Sequence, residues 1–303
     1  MLEVLSIVGP TASGKTALAI EYALKMDGEI ISVDSRQIYR GFVIGTGQPT
    51  SEEQKKVPHH LINSLDPAVR ITAGHYAELA YQRMAEINGR GRTPILCGGT
   101  GLYMRAIRLG LAPLGKTNPA LRAKITKRIA EEGADRLYAE LAHIDPEYAA
   151  TFHPHNLQRL TRAWEIIEAT GSAPSQLQSW RRGEAGLENT PLITIPGGGS
   201  VTFKLVGIER PREDLYQRID RRVEQMISQG WLEEVRELLE SGIPANAPPL
   251  QSVGYKEMVQ ILRSELTLDT ALPIIQQRTR QYARRQITWF RREPVHWITP
   301  ATR

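Results

Sequence analysis

Gly9-Pro10-Thr11-Ala12-Ser13-Gly14-Lys15-Thr16 has the form G-x-x-x-x-G-K-T, and it follows the apolar run Leu2–Val8 directly. Helical spacing of apolar residues begins at its end, in TALAIEYALKM of residues 16–26. Strand, glycine-rich turn and helix in that order are what a phosphate loop requires. The glycines let successive backbone N–H groups turn inward, and the helix N-terminus adds partial positive charge. Lys15 adds a full charge, and the Thr16 hydroxyl can ligand a magnesium ion. A chance glycine turn would not need both flanking elements. The stretch therefore predicts a diphosphate or triphosphate site built from residues 9–16, without saying which phosphate compound it takes.

Outward from this loop, short β-branched runs alternate with helical periods. EIISVD (residues 29–34) and PILCGG (94–99) are strand-like, and together with residues 2–8 they predict an α/β fold of the P-loop NTPase-like kind. Such a fold is a parallel sheet flanked by helices. Residues 114–203 differ, because 120–144 and 157–171 repeat apolar positions at three and four and read as helices. They predict a mainly helical insertion domain in a catalytic core of residues 1–113 and 204–303. Within 191–208, two β-rich runs surround Gly197-Gly198-Gly199 and suggest a hairpin whose second run returns to the main sheet. A helical region over 215–242 ends on the C-cap glycine Gly242.

The chain has 303 residues, 41% hydrophobic and 23% charged, as ordinary soluble domains do. A single cysteine, Cys97, excludes an internal disulfide framework and a thiolate zinc cluster. No apolar run approaches the roughly 18 residues of a membrane span, and no leader is expected ahead of the first strand. A cytoplasmic monomer is the expectation. The net charge is +5, yet residues 276–292 hold Arg278, Arg280, Arg284, Arg285, Arg291 and Arg292 with no acid. That stretch predicts a polyanionic partner.

The second strand ends on Asp34 and runs into Ser35-Arg36-Gln37. Ligands of parallel sheets sit at the carboxyl ends of strands, so Asp34 should face the phosphate pocket. A magnesium-positioning carboxylate or a plain turn aspartate are the alternatives. At this point the order of motifs resembles a known family, the tRNA dimethylallyltransferases (tRNA isopentenyltransferases). GPTASGKT, SVDSRQIYRG, VPHHLINSLDP, PILCGGTGLYMRAI, LQRLTRAWEIIEATG, QSVGYKEM and RTRQYARRQITWFRR follow one another as they do there. Three positions depart from the expected pattern: Asn63 and Asn156 stand for aspartate, and Trp164 for leucine.

The resemblance implies transfer of a dimethylallyl group from dimethylallyl diphosphate to an adenosine beside the tRNA anticodon, at position 37, with release of diphosphate and with Mg²⁺. Delocalisation of the amine lone pair into the ring makes that nucleophile poor. The leaving diphosphate needs electrostatic stabilisation, and the amine needs a base. Asp34 is the candidate base, with Lys15, Thr16 and Thr100 completing the catalytic set. Thr100 resembles the substrate-contacting threonine of the family, although satisfying a tight glycine-rich turn would explain its hydroxyl as well. Arg218 and Arg222, one helical turn apart, are candidates for the diphosphate, but interleaved Asp220 and Glu224 favour a solvated face.

For the anticodon stem-loop the candidates are Asp34, Ser35, Arg36, Gln37 and Thr100. Arg122, Gln158, Arg159, Leu160, Thr161 and Arg162 follow from the resemblance, while Arg278, Arg280, Arg284 and Arg285 follow from the charge pattern. The alternative for the last four is ion pairing with core carboxylates. A P-loop kinase, an adenylate isopentenyltransferase acting on free AMP, and a non-catalytic RNA-binding NTPase are the competing functions.

Overall fold

A computed structural model describes residues 1–110, 118–178 and 193–299. The chain divides into two compact units, Met1–Arg108 with Leu192–Arg303, and Leu109–Pro191.

The first unit begins with β1 (Leu2–Val8), α1 (Lys15–Lys25) and β2 (Gly28–Ser32), followed by α2 (Ser51–Lys56), β3 (His59–His60) and α3 (Ala73–Gly89). It continues with β4 (Thr93–Gly98) and α4 (Gly101–Leu109). All five residues of β2 are buried, as expected of a parallel strand covered on both faces. Alternation divides the strands between two cores. Val4, Val8 and Ile31 pack into the larger one, while Leu5, Ile7 and Ile30 pack with Ala19 and Ala23 of α1.

The second unit is helical: α5 (Pro119–Glu132), α6 (Ala134–Ile144), α7 (Pro146–Ala149), α8 (Leu157–Thr170) and α9 (Pro174–Gln178). Its core gathers Ile125, Leu137, Leu141, Leu160 and Trp164. Trp164 is accommodated where leucine was expected because its Nε1 donates to Leu137 O at 3.2 Å and Arg128 lies 4.9 Å over the indole. Asn156 caps α8 by accepting from the Arg159 amide at 3.2 Å, a role aspartate fills equally well.

The chain returns through β5 (Ile193–Ile195) and β6 (Gly199–Ile208), then α10 (Arg212–Ser228), α11 (Trp231–Glu240), α12 (Tyr255–Leu262), α13 (Leu268–Phe290) and β7 (Val295–Ile298). The sheet runs β3-β2-β4-β1-β6-β5, with β7 also on β6, and only the β5–β6 pairing is antiparallel.

One sequence expectation changes here. The insertion was bounded at 114 and 203, but the whole hairpin belongs to the sheet unit, because β6 pairs with β1 from Leu2↔Val201 to Val8↔Gly207. Burying β1 on both edges requires that strand to start well before residue 204. The helical region 215–242 divides into two helices at Gly230, whose φ of 96° is the left-handed conformation that glycine adopts freely. Gly242 stands just past α11 with φ 90°, as a helix-ending glycine should.

Candidate active site

Because β2, β4 and β1 are adjacent and parallel, the three segments that leave their carboxyl ends meet. These are the loop of residues 9–16 after β1, Asp34–Gln37 after β2, and Gly99–Thr100 after β4. The first two border a cavity of about 410 Å³ lined by Thr11, Lys15, Thr16, Asp34, Ser35 and Arg222, which Gly98 reaches at the end of β4, while Thr100 lies behind the lining.

The phosphate loop is shaped for its task. Gly14 caps α1 with φ 95° and gives it no side-chain cap, so the first amides of the helix keep their donors for a ligand. Ala12 holds φ 62°, a conformation that costs a residue with a Cβ about 1–3 kcal/mol. Arginine contacts hold it in place: Arg218 Nε donates to Ala12 O at 3.0 Å and Arg210 Nε to Ser13 O at 2.7 Å. The solvated face favoured for Arg218 and Arg222 is therefore not what forms. Arg222 lines the cavity and donates to Gly47 O at 3.2 Å, and burial lowers the pKa of its guanidinium. The interleaved acids turn the other way, where Asp220 and Glu224 meet Arg280 and Gln276 of α13. Positions two apart on a helix point in nearly opposite directions.

Lys15 donates to Pro10 O at 3.3 Å. Burial pushes its pKa down, with Arg222 adding to the effect and Cys97 and Asp34 opposing it. Asp34 uses one oxygen, Oδ1, to accept from the amides of Arg36 at 2.8 Å and Gln37 at 3.2 Å. The turn role and the cavity role thus coexist in one carboxylate, with Oδ2 outside the turn. Thr100 Oγ1 accepts from the Ser35 amide at 3.1 Å and interacts with the Tyr282 hydroxyl, which tethers the two loops. Burial drives that tyrosine's pKa far above 10.

Gln37 is less free than a base-reading role would need. Its Oε1 accepts from Ser32 Oγ at 2.8 Å, and its Nε2 donates to the carbonyls of Thr46 and Gly47. Arg36 donates to Pro248 O at 3.0 Å. Asn63, at φ 47°, accepts from the Gly41 amide at 2.7 Å, a contact that needs no charge.

In the helical unit, Gln158 and Arg159 are exposed, and Arg159 donates to Thr151 O at 3.1 Å. Arg122 and Arg162 both donate to Glu165, at 3.1 Å each, and Glu165 is 3% exposed. Leu160 and Thr161 are corrected. They are 0% and 5% exposed, on the inward stripe that α8 shares with Ala163 and Trp164, and present no surface to a partner.

The acid-free stretch also divides. Arg278 pairs with the buried Glu257 and Arg280 with Asp220, while Arg291 lies 3.7 Å from Glu209. Pairing with a core carboxylate therefore describes Arg278, while Arg280 pairs with a partly exposed one. Arg284 and Arg285 instead line a second cavity of about 500 Å³ with Arg105, Arg292 and Trp289, and Arg285 also reaches the first.

Three residues escaped sequence reasoning. Arg210 sits in an unremarkable IERPRED stretch and gave no signal. Glu234 accepts the amides of Val43, Ile44 and Gly45, at 2.9, 2.5 and 3.2 Å, together with the Tyr255 hydroxyl at 2.6 Å, so it anchors the loop that walls the cavity. Gln286 was detectable as a polar residue on the apolar stripe Ala283–Phe290 of α13.

The chain matches the IPP transferase family over residues 37–293. It is 44% identical over 296 residues to a tRNA dimethylallyltransferase 1 of Trichlorobacter lovleyi, which covers 97% of this chain and 93% of the relative. The solved full-length tRNA isopentenylpyrophosphate transferase of Bacillus halodurans aligns with a TM-score of 0.69 at 36% identity, over 99% of this chain and 90% of that one. A eukaryotic dimethylallyltransferase, captured in crystallographic snapshots acting on tRNA, gives 0.77 at 27% identity, over 99% and 74% of the two chains. With matches of this length and identity, the chain belongs to the IPP transferase family.

Proposed function

We propose that this enzyme transfers a dimethylallyl group from dimethylallyl diphosphate to the exocyclic amine of the adenosine 3′ of the tRNA anticodon, position 37, as a cytoplasmic monomer. The single observation that carries the reading is that the phosphate loop and the Asp34 carboxylate open into one cavity. Its wall from α10 combines the Arg222 guanidinium with Ile219, Val223 and Met226. A charged head beside an apolar stripe suits an allylic diphosphate better than a polar nucleoside triphosphate.

In the reaction, the bond between the allylic carbon and the diphosphate oxygen breaks, and the electron pair leaves with the diphosphate. The adenine nitrogen forms the new bond to that carbon and gives its proton to Asp34. Lys15, Arg222 and the loop amides stabilise the charge that develops on the leaving oxygens. No group of three or more His, Cys, Asp or Glu that could hold a metal occurs among the described residues. The donor set nevertheless fits Mg²⁺ of the phosphate-loop kind, which the Thr16 hydroxyl at the cavity wall would help to hold. Bound there, the ion would neutralise charge on the diphosphate. The amide bonds from Arg36 and Gln37 to Oδ1 keep the Asp34 turn intact while Oδ2 meets the amine.

Arg159 and Gln158, exposed on α8, and Arg284 on α13 are the surface groups offered to the stem-loop, together with Arg36 and Ser35 near the reacting base. A flipped adenine is what such a cavity would take.

The decisive experiment is the mass of tRNA incubated with the protein, Mg²⁺ and dimethylallyl diphosphate. Gain of one C5H8 unit at the adenosine beside the anticodon is expected. Modification of free AMP instead, or ATP consumption with unmodified tRNA, would replace this reading with an adenylate isopentenyltransferase or a kinase.

A further inference from the structure

α13 reaches the two catalytic loops with one side chain. Gln286, 5% exposed, accepts from the Thr11 amide of the phosphate loop through Oε1 at 2.8 Å. Through Nε2 it donates to Gly99 O, beside Thr100, at 3.0 Å. The two loops leave adjacent strands β1 and β4, so the carboxamide lies across the gap between them. Close approach makes the bridge possible: a Cβ on Gly99 would collide with Nε2 and crowd Gly9 O at 3.1 Å. One turn further on, Gly101 makes the same kind of notch for Trp289. From Thr100 the tether continues to the Ser35 amide, next to Asp34.

We propose that Gln286 is a positioning residue that fixes the separation of the diphosphate loop from the Asp34–Thr100 side of the site, and hence of the allylic carbon from the attacking amine. The inference rests on the functional reading above. A carboxamide supplies the acceptor that Thr11 N needs and the donor that Gly99 O needs in one planar group, without titrating. The Thr11 amide is thereby withdrawn from the phosphate cradle, which leaves the amides at the start of α1 to hold the diphosphate.

The test compares wild type, Gln286→Met and Gln286→Glu in single-turnover transfer to tRNA, with diphosphate affinity and melting temperature measured in parallel. Gln286→Met keeps the volume and removes both contacts. A misplacement of about 1 Å costs on the order of 10²-fold, so the single-turnover rate should fall about 10- to 100-fold. Diphosphate affinity should stay close to that of wild type. In Gln286→Glu, the ionised carboxylate still accepts from Thr11 N but opposes Gly99 O, and protonation restores the missing donor. The ratio of its rate to the wild-type rate should therefore rise as pH falls, even if the methionine variant fails to fold. A wild-type rate in folded Gln286→Met, or a pH-independent ratio in Gln286→Glu, overturns the proposal while leaving the function intact. An inactive wild type overturns both.

Discussion

One terminal nitrogen of Arg280 donates to both carboxylate oxygens of Asp220, at 2.6 and 2.7 Å, and ties α13 to α10. The pair is partly exposed but clamps the helix that carries Arg218 and Arg222 to the helix that carries Gln286. Arg280→Ala should lower the melting temperature and leave the salt dependence of tRNA binding as it is in wild type. Arg284→Ala, at a residue that meets no carboxylate among the described residues, should do the reverse. One lost phosphate contact flattens the slope of log K against log salt by about 0.7–0.9. Equal slopes for wild type and Arg284→Ala would remove that arginine from the tRNA surface.

Asp34→Asn retains Oδ1, and with it the bonds from the Arg36 and Gln37 amides, so the turn should survive. The chemical step should slow by about 10²–10⁴-fold, the usual span for a general base. Single-turnover rates at saturating dimethylallyl diphosphate measure it. Asp34→Ala should in addition lower the melting temperature, because both turn amides lose their acceptor. If the asparagine variant reacts at the wild-type rate, the base is elsewhere.

Lys15→Ala and Thr16→Ala should each weaken diphosphate binding and reduce turnover together. Lys15 also predicts a pH effect of definite sign. Burial holds its pKa below the ordinary 10.5, whereas a bound diphosphate favours the charged form. Affinity should therefore be flat at low pH and fall as pH rises through the lowered value, with proton uptake on binding in that range. Calorimetry in two buffers of different ionisation enthalpy reads the uptake, and Lys15→Ala should abolish it.

Glu165 is buried and is held from two sides, by Arg122 and Arg162. Removing either arginine leaves a buried carboxylate with one cationic partner. Arg122→Ala should therefore cost about 1–3 kcal/mol of stability in the helical unit. Arg159→Ala, which gives up a single bond to a carbonyl, should cost less than about 1 kcal/mol and act on tRNA affinity instead. Denaturant unfolding beside a tRNA titration separates the two. Equal stability losses would mean that Arg159 is structural as well.

Much of this molecule was legible in its sequence, for reasons that are local. G-x-x-x-x-G-K-T determines a loop and a helix start through backbone freedom at Gly14 and a charge at Lys15, both properties of neighbouring residues. Alternating strand and helix periods determine a parallel sheet, which places Asp34 and Thr100 at adjacent strand ends. The helices of the insertion were readable from their period and the hairpin from two β-rich runs around three glycines, though not the boundary between them. Only the tertiary structure decided which arginines are free. Arg278 and Arg284 look alike in a sequence, but helical rotation carries one to Glu257 and the other to an open cavity. The same rotation turned Leu160 and Thr161 inward, drew Arg218 and Arg222 to the phosphate loop, and left Asp220 facing α13. Gln286 lies far along the chain from both loops that it joins. No local pattern could predict that bridge, because burial and the pairing of polar groups are settled by which elements pack together.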